Sequence, residues 1–492
     1  MQAPSQPPAG FEEDTVPSHA WPDRYVAMIL KMTSTLTPAL NVGDTIAAIA
    51  TAVSPGEGGI AVIRLSGPQA QAAVRAVVRI PGVQIWESHR VLYGHALAAD
   101  GVQHLDEVLV LVMLGPRSFT GEDVVEIHCH GGVIAVQQVL DRVLAQNDVR
   151  RALPGEFSQR AVLNGRLDLT RAEAISDLVA ARSRRAAALA MAGLDGGLQR
   201  QISAARERLL DQLTELEARV DFEEDLPALD GQALLAELQA VGAELRQLVA
   251  DGRRGDALRQ GLRVALIGRP NVGKSSLLNR LSRRERAIVT DLPGTTRDLL
   301  ESEIVLEGVP ITLLDTAGIR ATADAVEQLG IARSEQALAS ADVVLLVVDG
   351  HAGWTEEDAA LLERLPEGVP RLIVANKGDR PAGPMPATIE LDVTISALHG
   401  DGEEALIQCL LERCGAAETA GVVLSLNVRQ RDLALRAAEA LDRSREVAAQ
   451  ELPWDFWTID LREAIRALGE ITGEELTEAV LDRVFSRFCI GK

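Results

Sequence analysis

The chain has 492 residues, 47% of them hydrophobic, and carries 49 basic and 71 acidic residues for a formal net charge of −22. This length predicts about three domains, and the hydrophobic fraction is ample for folded cores. No apolar run approaches the ~18 residues of a membrane span, so we expect a soluble protein. The negative charge argues against a free-standing nucleic-acid binder, because such proteins rely on attraction to phosphates.

Residues 1–32 differ in composition from the rest of the chain. Several prolines and the acidic run Glu12–Asp14 predict disorder. The acidic residues argue against a transit peptide, and the apolar stretch Tyr25–Leu30 is too short for a signal peptide. The cysteines lack paired CxxC spacing, which indicates neither a disulfide framework nor a zinc site and favours a reducing cytoplasm. These cysteines are Cys129, Cys409, Cys414 and Cys489.

Residues 33–164 show a mixed pattern that predicts an α+β domain. Alternating or continuous apolar runs of four to ten residues predict strands, and longer runs with helical spacing predict helices. The predicted strands are Thr45–Val53, Gly59–Leu65, Glu107–Leu114 and Val124–His128, and the predicted helices are Pro68–Val78 and Val133–Gln146.

Residues 165–260 and 418–492 lack strand signals and show helical spacing, as in the series from Leu234 to Leu248. Between them, residues 261–417 alternate strand-like runs with phosphate-binding signatures. We therefore predict a discontinuous all-α helical domain, in two halves, with a Ras-like P-loop α/β domain inserted between them.

The sequence GRPNVGKS, from Gly268 to Ser275, follows the strand-like run Leu262–Ile267 and precedes a predicted helix start at Ser276. Glycines in such a loop let backbone N–H groups surround phosphate oxygens, and the helix N-terminus adds partial positive charge. We expect Lys274 to reach the terminal phosphates and the Ser275 hydroxyl to ligate Mg²⁺.

Further motifs in chain order predict that the nucleotide is GTP. The DLPGTTRD and DTAG motifs respond to the γ-phosphate. Thr296, in the first of them, is predicted to be a second Mg²⁺ ligand. The carboxylate of NKGD, at Asp379, pairs with the donor edge of guanine, which adenine lacks. The predicted GTP-binding residues are Asn271, Val272, Gly273, Lys274, Ser275, Ser276, Thr290, Asp291, Leu292, Pro293, Gly294, Thr295, Thr296, Asp315, Thr316, Ala317, Gly318, Asn376, Lys377, Asp379, Ser396 and Ala397.

The position where Ras-type switches carry a water-orienting glutamine is occupied by Ile319. An aliphatic side chain cannot orient water. Glu327 is the candidate for that role, although the same residue is also consistent with an ordinary solvated helix glutamate. Arg297 and Arg320 are possible arginine fingers, and each is equally consistent with a surface ion pair.

Along a strand, His128 and His130 share a face and offer two potential metal ligands. The sequence shows no third ligand nearby, so a structural role is favoured over a metal site.

Several long motifs occur together with the P-loop. They include PGEGGIAVIRLSG from Pro55, SFTGEDVVEIHCHGG from Ser118, LPGEFSQRAVLNGRLDLTRAEAISDL from Leu153 and FCIGK at the C-terminus. In this order they resemble the MnmE (TrmE) family of bacterial tRNA-modification GTPases. Because family members begin near Thr45, Met32 is expected to be the true start.

The resemblance implies how hydrolysis proceeds without a glutamine. In the family, K⁺ beside the nucleotide takes the place of an arginine finger, and Asn271 would hold it with Thr290, Leu292 and Thr295. An amide oxygen is a hard ligand suited to such a cation. The family's catalytic glutamate corresponds to Glu327, and two G domains meet face to face during hydrolysis.

The resemblance also implies a folate site in residues 33–164, which resemble the tetrahydrofolate-binding domain of aminomethyltransferases and also form the dimer. The family's positions correspond to Arg64, Glu126, Arg166 and Lys492, and Cys489 is tied to the modification reaction. The ligand would be 5-formyltetrahydrofolate or a related one-carbon tetrahydrofolate. Arg166 replaces the usual lysine, and Glu57 replaces a commonly basic residue, which is expected to weaken folate binding.

The activity implied is addition of a carboxymethylaminomethyl or aminomethyl group to the wobble uridine of certain tRNAs. It would require a homodimer and the FAD-dependent partner MnmG (GidA), in a complex with two copies of each, in the cytoplasm and without a membrane. Two alternatives stay open. One is a potassium-dependent ribosome-assembly GTPase, although no GXXG module follows residue 418, and the other is a folate-dependent aminomethyltransferase fused to a regulatory G domain.

Overall fold

The computed structural model describes residues 43–56, 58–222, 229–283, 301–315, 338–366, 368–417, 424–450, 453–475 and 477–492. Its N-terminal elements build one mixed sheet with two helices on one face. These elements are β1 (Thr45–Ile49), β2 (Ile60–Ser66), α1 (Ala70–Val77), β3 (Val78–Arg79), β4 (Arg90–Leu97), β5 (His104–Met113), β6 (Val124–His130), α2 (Val133–Leu144) and β7 (Val149–Arg151).

The strand order of this seven-stranded sheet is β3-β4-β5-β6-β2-β1-β7. Neighbouring strands are antiparallel except for the pair β1 and β7, which is parallel. Residues that alternate along the strands, such as Ile63 and Leu65, pack with Val74 of α1 and Val139 of α2 into one core. The helices therefore cover one face of the sheet.

All four predicted strands have different limits in the structure: Gly59–Leu65 is observed as Ile60–Ser66, and Glu107–Leu114 as His104–Met113. The first ends at Ile49 instead of Val53, because the Thr51 hydroxyl accepts the N–H of Val62 at 3.0 Å in place of a backbone partner. The strand predicted to end at His128 continues to His130, which pairs with Ile60.

The helical elements form a bundle and a smaller cluster beside the N-terminal sheet. They are α3 (Glu156–Leu163), α4 (Leu169–Ala180), α5 (Arg184–Leu194), α6 (Gly197–Phe222), α7 (Gly231–Gln260), α11 (Val428–Ala449), α12 (Trp454–Thr472) and α13 (Glu478–Phe485). The bundle core joins both sequence segments, since Leu209, Leu238, Leu441 and Leu468 share one buried cluster.

Helix α3 is joined to the N-terminal sheet by a buried ion network. The Arg160 guanidinium lies 2.6 Å from Asp44 and 3.1 Å from both Glu122 and Glu156. Arg150 of β7 pairs with the same Asp44 and Glu156. Several hydrogen bonds are needed to compensate charges this deeply buried, and the network supplies them.

The third group is an α/β unit that lies between the two helical segments in sequence. Its elements are β8 (Leu262–Ile267), α8 (Lys274–Leu281), β9 (Glu301–Leu306), β10 (Val309–Asp315), β11 (Val343–Asp349), α9 (Glu356–Glu363), β12 (Arg371–Asn376), β13 (Val393–Thr394) and α10 (Glu403–Arg413). The six strands are ordered β13-β12-β11-β8-β10-β9, and every pair but β9–β10 is parallel. Both faces carry buried apolar clusters, as expected for a parallel sheet.

The hairpin β9–β10 joins this unit to the helical elements. Arg182, just before α5, pairs with Glu303 at 2.8 Å, and Arg185 donates to the Glu307 carbonyl at 2.7 Å. Leu189 of α5 and Leu258 of α7 belong to the same core as the six-stranded sheet. The two units therefore share buried surface.

The predicted fold class is confirmed: an α+β N-terminal part, an all-α part built from two segments, and a P-loop α/β unit between those segments. The domain limits at residues 32, 164, 260 and 417 stay predictions. Among the described residues, no helix is both long and apolar enough to cross a membrane.

Candidate functional site

The P-loop sequence connects β8 to α8: residues 268–273 form the loop, and Lys274 and Ser275 already belong to the first turn of the helix. Gly273 has a φ of +100°, and a Cβ there would lie 2.2 Å from the Asn376 amide nitrogen. Asn271 also adopts a positive φ of 63°. The loop conformation thus depends on a glycine at 273.

Lys274 is buried in the loop, with 7% of its surface exposed. Its Nζ donates to the carbonyls of Gly268 at 2.5 Å and of Arg269 at 2.8 Å. A bound phosphate would offer the ammonium a charged acceptor in place of these carbonyls. Ser275 and Ser276 lie exposed in the first turn of α8, where backbone N–H groups are open to an anion.

Asn376 connects the phosphate half of the site to the base half. Its Nδ2 donates to the Val272 carbonyl at 2.8 Å, and its Oδ1 accepts the N–H of Ala397 at 2.9 Å. Asp379 accepts a hydrogen bond from the Ser396 hydroxyl at 2.7 Å. This hydrogen bond is the main reason that the pKa of Asp379 lies below its ordinary value. Asp379 is therefore a carboxylate that can accept from two donors.

Lys377 pairs with Asp349, at the end of β11, with 2.5 Å between nitrogen and oxygen. Burial alone would raise the pKa of Asp349. Hydrogen bonds from Lys377 and from the N–H groups of Ala352 and His351 lower it instead. The ion pair fixes Lys377 beside the base half of the site.

Residues of the P-loop, of the NKGD motif and of the segment after β13 border one cleft of about 780 Å³. The volume lies within the range of small-molecule sites. The cleft is lined by Asn271, Gly273, Ser276, Asn279, Arg280, Arg283, Asn376, Lys377, Asp379, Arg380, Ala397, Leu398 and Glu403. The structure thus brings the P-loop and the two base-side motifs to the same cavity.

Other predicted residues lie outside the described residues, so their positions stay predictions. They are Thr290, Asp291, Leu292, Pro293, Gly294, Thr295, Thr296, Thr316, Ala317, Gly318 and Glu327. Ile319, Arg297, Arg320 and Glu57 also lie outside them. Asp315 is the last residue of β10, and its backbone pairs with Leu266 of β8.

A second candidate site lies on the N-terminal sheet. Arg64 of β2 and Glu126 of β6 are direct cross-strand partners, and their side chains pair at 2.8 Å. Arg64 also donates to the carbonyl of Gly491 at 3.3 Å. Its guanidinium lies 5.5 Å and 5.8 Å from the ring centres of Phe119 and Phe157. Residues near both ends of the chain therefore meet at Arg64.

The C-terminal residues dock beside this pair. Gly155 donates its N–H to the Cys489 carbonyl at 3.3 Å, and a Cβ at Gly491 would lie 2.5 Å from the Ile49 carbonyl. Burial lowers the pKa of the Lys492 amine; Cys489 opposes that effect and Arg64 adds to it. Arg64, Glu126 and Lys492 are thus brought together, whereas Arg166 is exposed in the turn after α3, where its backbone N–H donates to the Ala161 carbonyl.

The cysteines divide by exposure. Burial raises the pKa of Cys129 to about 12 and that of Cys414 to about 11. Both thiols are therefore protonated and unreactive at neutral pH. Cys409 is half-buried, and Cys489 is exposed beside Lys492.

His128 and His130 each pair with a carboxylate of the sheet. His128 lies 3.4 Å from Glu126, and His130 lies 2.6 Å from Asp106. Within the described residues, no group of three or more histidine, cysteine or acidic side chains is arranged to hold a metal ion.

Sequence reasoning missed two ion pairs that involve the P-loop and the helix after it, and the second of them lines the nucleotide cleft. Arg269 of the P-loop donates to the fully buried Asp358 at 2.8 Å, and Arg280 of α8 donates to Glu403 at 2.8 Å. The pattern Thr355-x-x-Asp358 is a capping-box signature that marks Asp358 as a helix-start residue. No local pattern marks Arg280 or Glu403.

The α/β unit contains a P-loop and the base-side motifs of a guanine-nucleotide site. In sequence it lies between two segments of a helical bundle. These features define a multidomain P-loop GTPase. Two family models match the chain: the MnmE helical domain over residues 169–489, and the GTP-binding protein TrmE N-terminus over residues 45–166. The chain is 80% identical over 449 residues to the tRNA modification GTPase MnmE of Synechococcus sp. (strain CC9605), covering 91% of this chain and 99% of that one. It is 78% identical over 453 residues to that of Parasynechococcus marenigrum (strain WH8102), covering 92% and 100%.

The chain belongs to the MnmE family of tRNA modification GTPases, and it is a GTPase that acts in tRNA modification. Among solved structures, a variant of Aquifex aeolicus Era bound to GDP·AlF4⁻ is 27% identical, covers 36% of this chain and 66% of its own, and has a TM-score of 0.26.

Proposed function

We propose that this protein is a potassium-activated GTPase that, with an FAD-dependent partner, adds a carboxymethylaminomethyl or aminomethyl group to C5 of the wobble uridine of certain tRNAs. The one-carbon unit comes from 5-formyltetrahydrofolate or a related tetrahydrofolate. Support comes from the family membership of the whole described chain and from the contents of its two sites.

The observation that carries the proposal is the meeting of Arg64, Glu126 and the C-terminal residues on the N-terminal sheet. Arg64 and Lys492 are cations suited to the glutamyl carboxylates of a folate, and Glu126 can accept from pterin N–H groups. The exposed Cys489 lies in the same tail. A folate bound there would contact three widely separated parts of the chain, and the exposed Arg166 is a fourth candidate contact.

In the nucleotide cleft, the residues fit a phosphate-bound magnesium ion. Ser275 presents its hydroxyl in the first turn of α8, and Thr296 is the proposed second ligand. Mg²⁺ bound there would neutralise charge on the β- and γ-phosphates. Lys274 would exchange its two loop carbonyls for phosphate oxygens, and Asp379 would accept the guanine donor edge.

Potassium would bind beside the phosphates through oxygen ligands. Asn271 lies exposed in the cleft with a left-handed backbone, so its amide is available as a hard ligand. Thr290, Leu292 and Thr295 are the proposed remaining ligands. Glu327 is the proposed residue that orients the attacking water, and hydrolysis is proposed to depend on two G domains pairing.

Homodimerisation is supported by exposed apolar side chains on the face of the N-terminal sheet opposite α1 and α2. Ile60, Val91, Tyr93 and Leu109 each expose 40% or more of their surface, and Tyr93 is the cross-strand partner of Leu109. Exposed apolar residues on one face of a sheet are typical of an interaction site. We propose a second copy of the chain as the occupant.

The proposed second partner is the FAD-dependent protein MnmG (GidA), in a complex with two copies of each protein. A chain with a net charge of −22 does not attract the tRNA backbone by its total charge. A partner with a basic surface would supply that attraction. We propose that the complex acts in the cytoplasm.

Mass spectrometry of tRNA from a deletion strain tests the proposal. We expect wobble uridines to lack the 5-carboxymethylaminomethyl and 5-aminomethyl groups, and plasmid-borne wild-type protein to restore them. A plasmid variant with Arg64→Ala should fail to restore them while keeping GTP hydrolysis, because the two sites are separate. Unchanged tRNA with stalled ribosomal subunits would instead support a ribosome-assembly switch.

A further inference from the structure

The segment 396–402 carries the proposed guanine contacts, and it contains no regular secondary structure. On its inner side it is held by Asn376, which accepts the Ala397 N–H, and by the Ser396 hydroxyl, which donates to Asp379. The Ser396 hydroxyl also accepts the N–H of His399 at 3.2 Å. We call residues 396–402 the base loop.

The base loop is also held by Arg280, which belongs to the P-loop helix α8. The Arg280 Nε donates to Glu403, the first residue of α10, at 2.8 Å. Its Nη1 lies 3.4 Å from the Leu398 carbonyl. One planar guanidinium thus contacts both the loop and the helix that follows it, a geometry that a lysine cannot reproduce.

The backbone at Gly400 is shaped around this arginine. Gly400 has a φ of +98°, and a Cβ there would lie 1.8 Å from the Arg280 Nη2. The guanidinium therefore lies directly against the loop backbone. A side chain at this position would displace it.

We infer that Arg280 is a positioning residue for guanine recognition: it fixes the base loop relative to the P-loop helix so that the Ala397 N–H and Asp379 face the base. This inference rests on the proposed guanine site. Arg280 lies in α8, six residues after Lys274, so it joins the helix of the phosphate half to the base loop, as Asn376 joins Val272 to Ala397.

The inference separates two parts of nucleotide affinity. Loss of Arg280 leaves the P-loop glycines, Lys274 and the helix N-terminus in place, so binding of phosphate groups is retained. The base loop loses the contacts that hold it to α8, so ordering the loop around the base costs more free energy. Binding of a guanine nucleotide should weaken, whereas binding of inorganic tripolyphosphate should not.

The test measures GDP binding by fluorescence titration, and tripolyphosphate binding by competition, in the full-length protein. The variants are Arg280→Ala, Arg280→Lys and Glu403→Gln. The matched control is Arg413→Ala, which removes an arginine–carboxylate pair with Asp392 at the other end of the same helix α10. If Arg280→Ala does not fold, Glu403→Gln tests the same anchor with little change in shape.

We expect Arg280→Ala to raise the Kd for GDP about tenfold, as for loss of a hydrogen bond to a charged group. Arg280→Lys should not rescue it, and Glu403→Gln should give a smaller increase in the same direction. Tripolyphosphate binding should change less than about twofold in every variant, and Arg413→Ala should match wild type.

Equal weakening of GDP and tripolyphosphate would overturn the inference, because it would make Arg280 a simple source of positive charge in the cleft. Unchanged GDP binding in Arg280→Ala, or the same loss in Arg413→Ala, would also overturn it. A wild-type protein that does not prefer GDP over ADP would contradict the proposed guanine site itself.

Discussion

Asp358 binds Arg269 of the P-loop, and removal of the Asp358 carboxylate should destabilise the six-stranded sheet. Asp358 is fully buried and accepts three hydrogen bonds: from Arg269 at 2.8 Å, from the Thr355 N–H at 3.0 Å and from the Thr355 hydroxyl at 2.9 Å. In Asp358→Ala, all three donors lose this acceptor, and a largely buried guanidinium loses its counter-charge. Breaking such a pair costs about 3 kcal/mol or more.

Hydrogen exchange followed by mass spectrometry measures this cost, because amides of β8 and β11 exchange when the sheet opens. We expect the free energy of opening to fall by about 3 kcal/mol in Asp358→Ala. The control is Glu357→Ala, an exposed acidic residue in the same first turn of α9. Its loss should cost less than about 1 kcal/mol. Equal effects of the two variants would refute the reasoning that the buried pair is the anchor.

Three further predictions concern single residues. Gly273→Ala should abolish GDP binding measured by titration, because a Cβ would lie 2.2 Å from the Asn376 amide, and retained affinity would contradict that reading of the loop. Burial alone would raise the pKa of Glu156, but hydrogen bonds from Arg150 and the Leu153 N–H, with the charges of Arg150 and Arg160, lower it below 4.5. The resulting stabilisation is present above pH 4.5 and is lost as the pH falls through the folded-state pKa. Glu156→Gln should therefore lower the melting temperature at neutral pH, by an amount that shrinks in acid. The same lowering at every pH would contradict this prediction. Cys489→Ser should abolish tRNA modification measured by mass spectrometry and spare GTP hydrolysis, whereas loss of both activities would mean misfolding.

The nucleotide cleft was predictable because its motifs are local. The run Leu262–Ile267 forms β8 with the predicted limits, and the loop after it begins helix α8. The helix starts at Lys274 rather than Ser276, so the P-loop residues themselves form its first turn.

Other elements were missed for physical reasons. Strand β4 is half-buried, but its exposed positions include the apolar Val91 and Tyr93 and one inward position is Gly94, so its sequence does not alternate between apolar and polar residues. Strand β13 has only the two residues Val393–Thr394, because the Asp392 side chain takes the N–H of Ile373.

Contacts between distant positions were not predictable from local spacing. Arg280 and Glu403 are 123 residues apart, and Arg64 and Gly491 are 427 apart. Neither pair has a sequence pattern that links its members. The family resemblance assigned Arg64 and Lys492 to one site, and it therefore implied that the C-terminus lies near Arg64.

The most direct test of the central claim is GTP turnover by the full-length protein in potassium and in sodium buffers, measured over a range of protein concentrations. We predict faster turnover in potassium, a rise in specific activity with concentration, and loss of the potassium effect in Asn271→Ala with nucleotide binding retained. Equal turnover in the two salts, independent of protein concentration, would contradict the proposal that a potassium ion held by Asn271 between paired G domains activates hydrolysis.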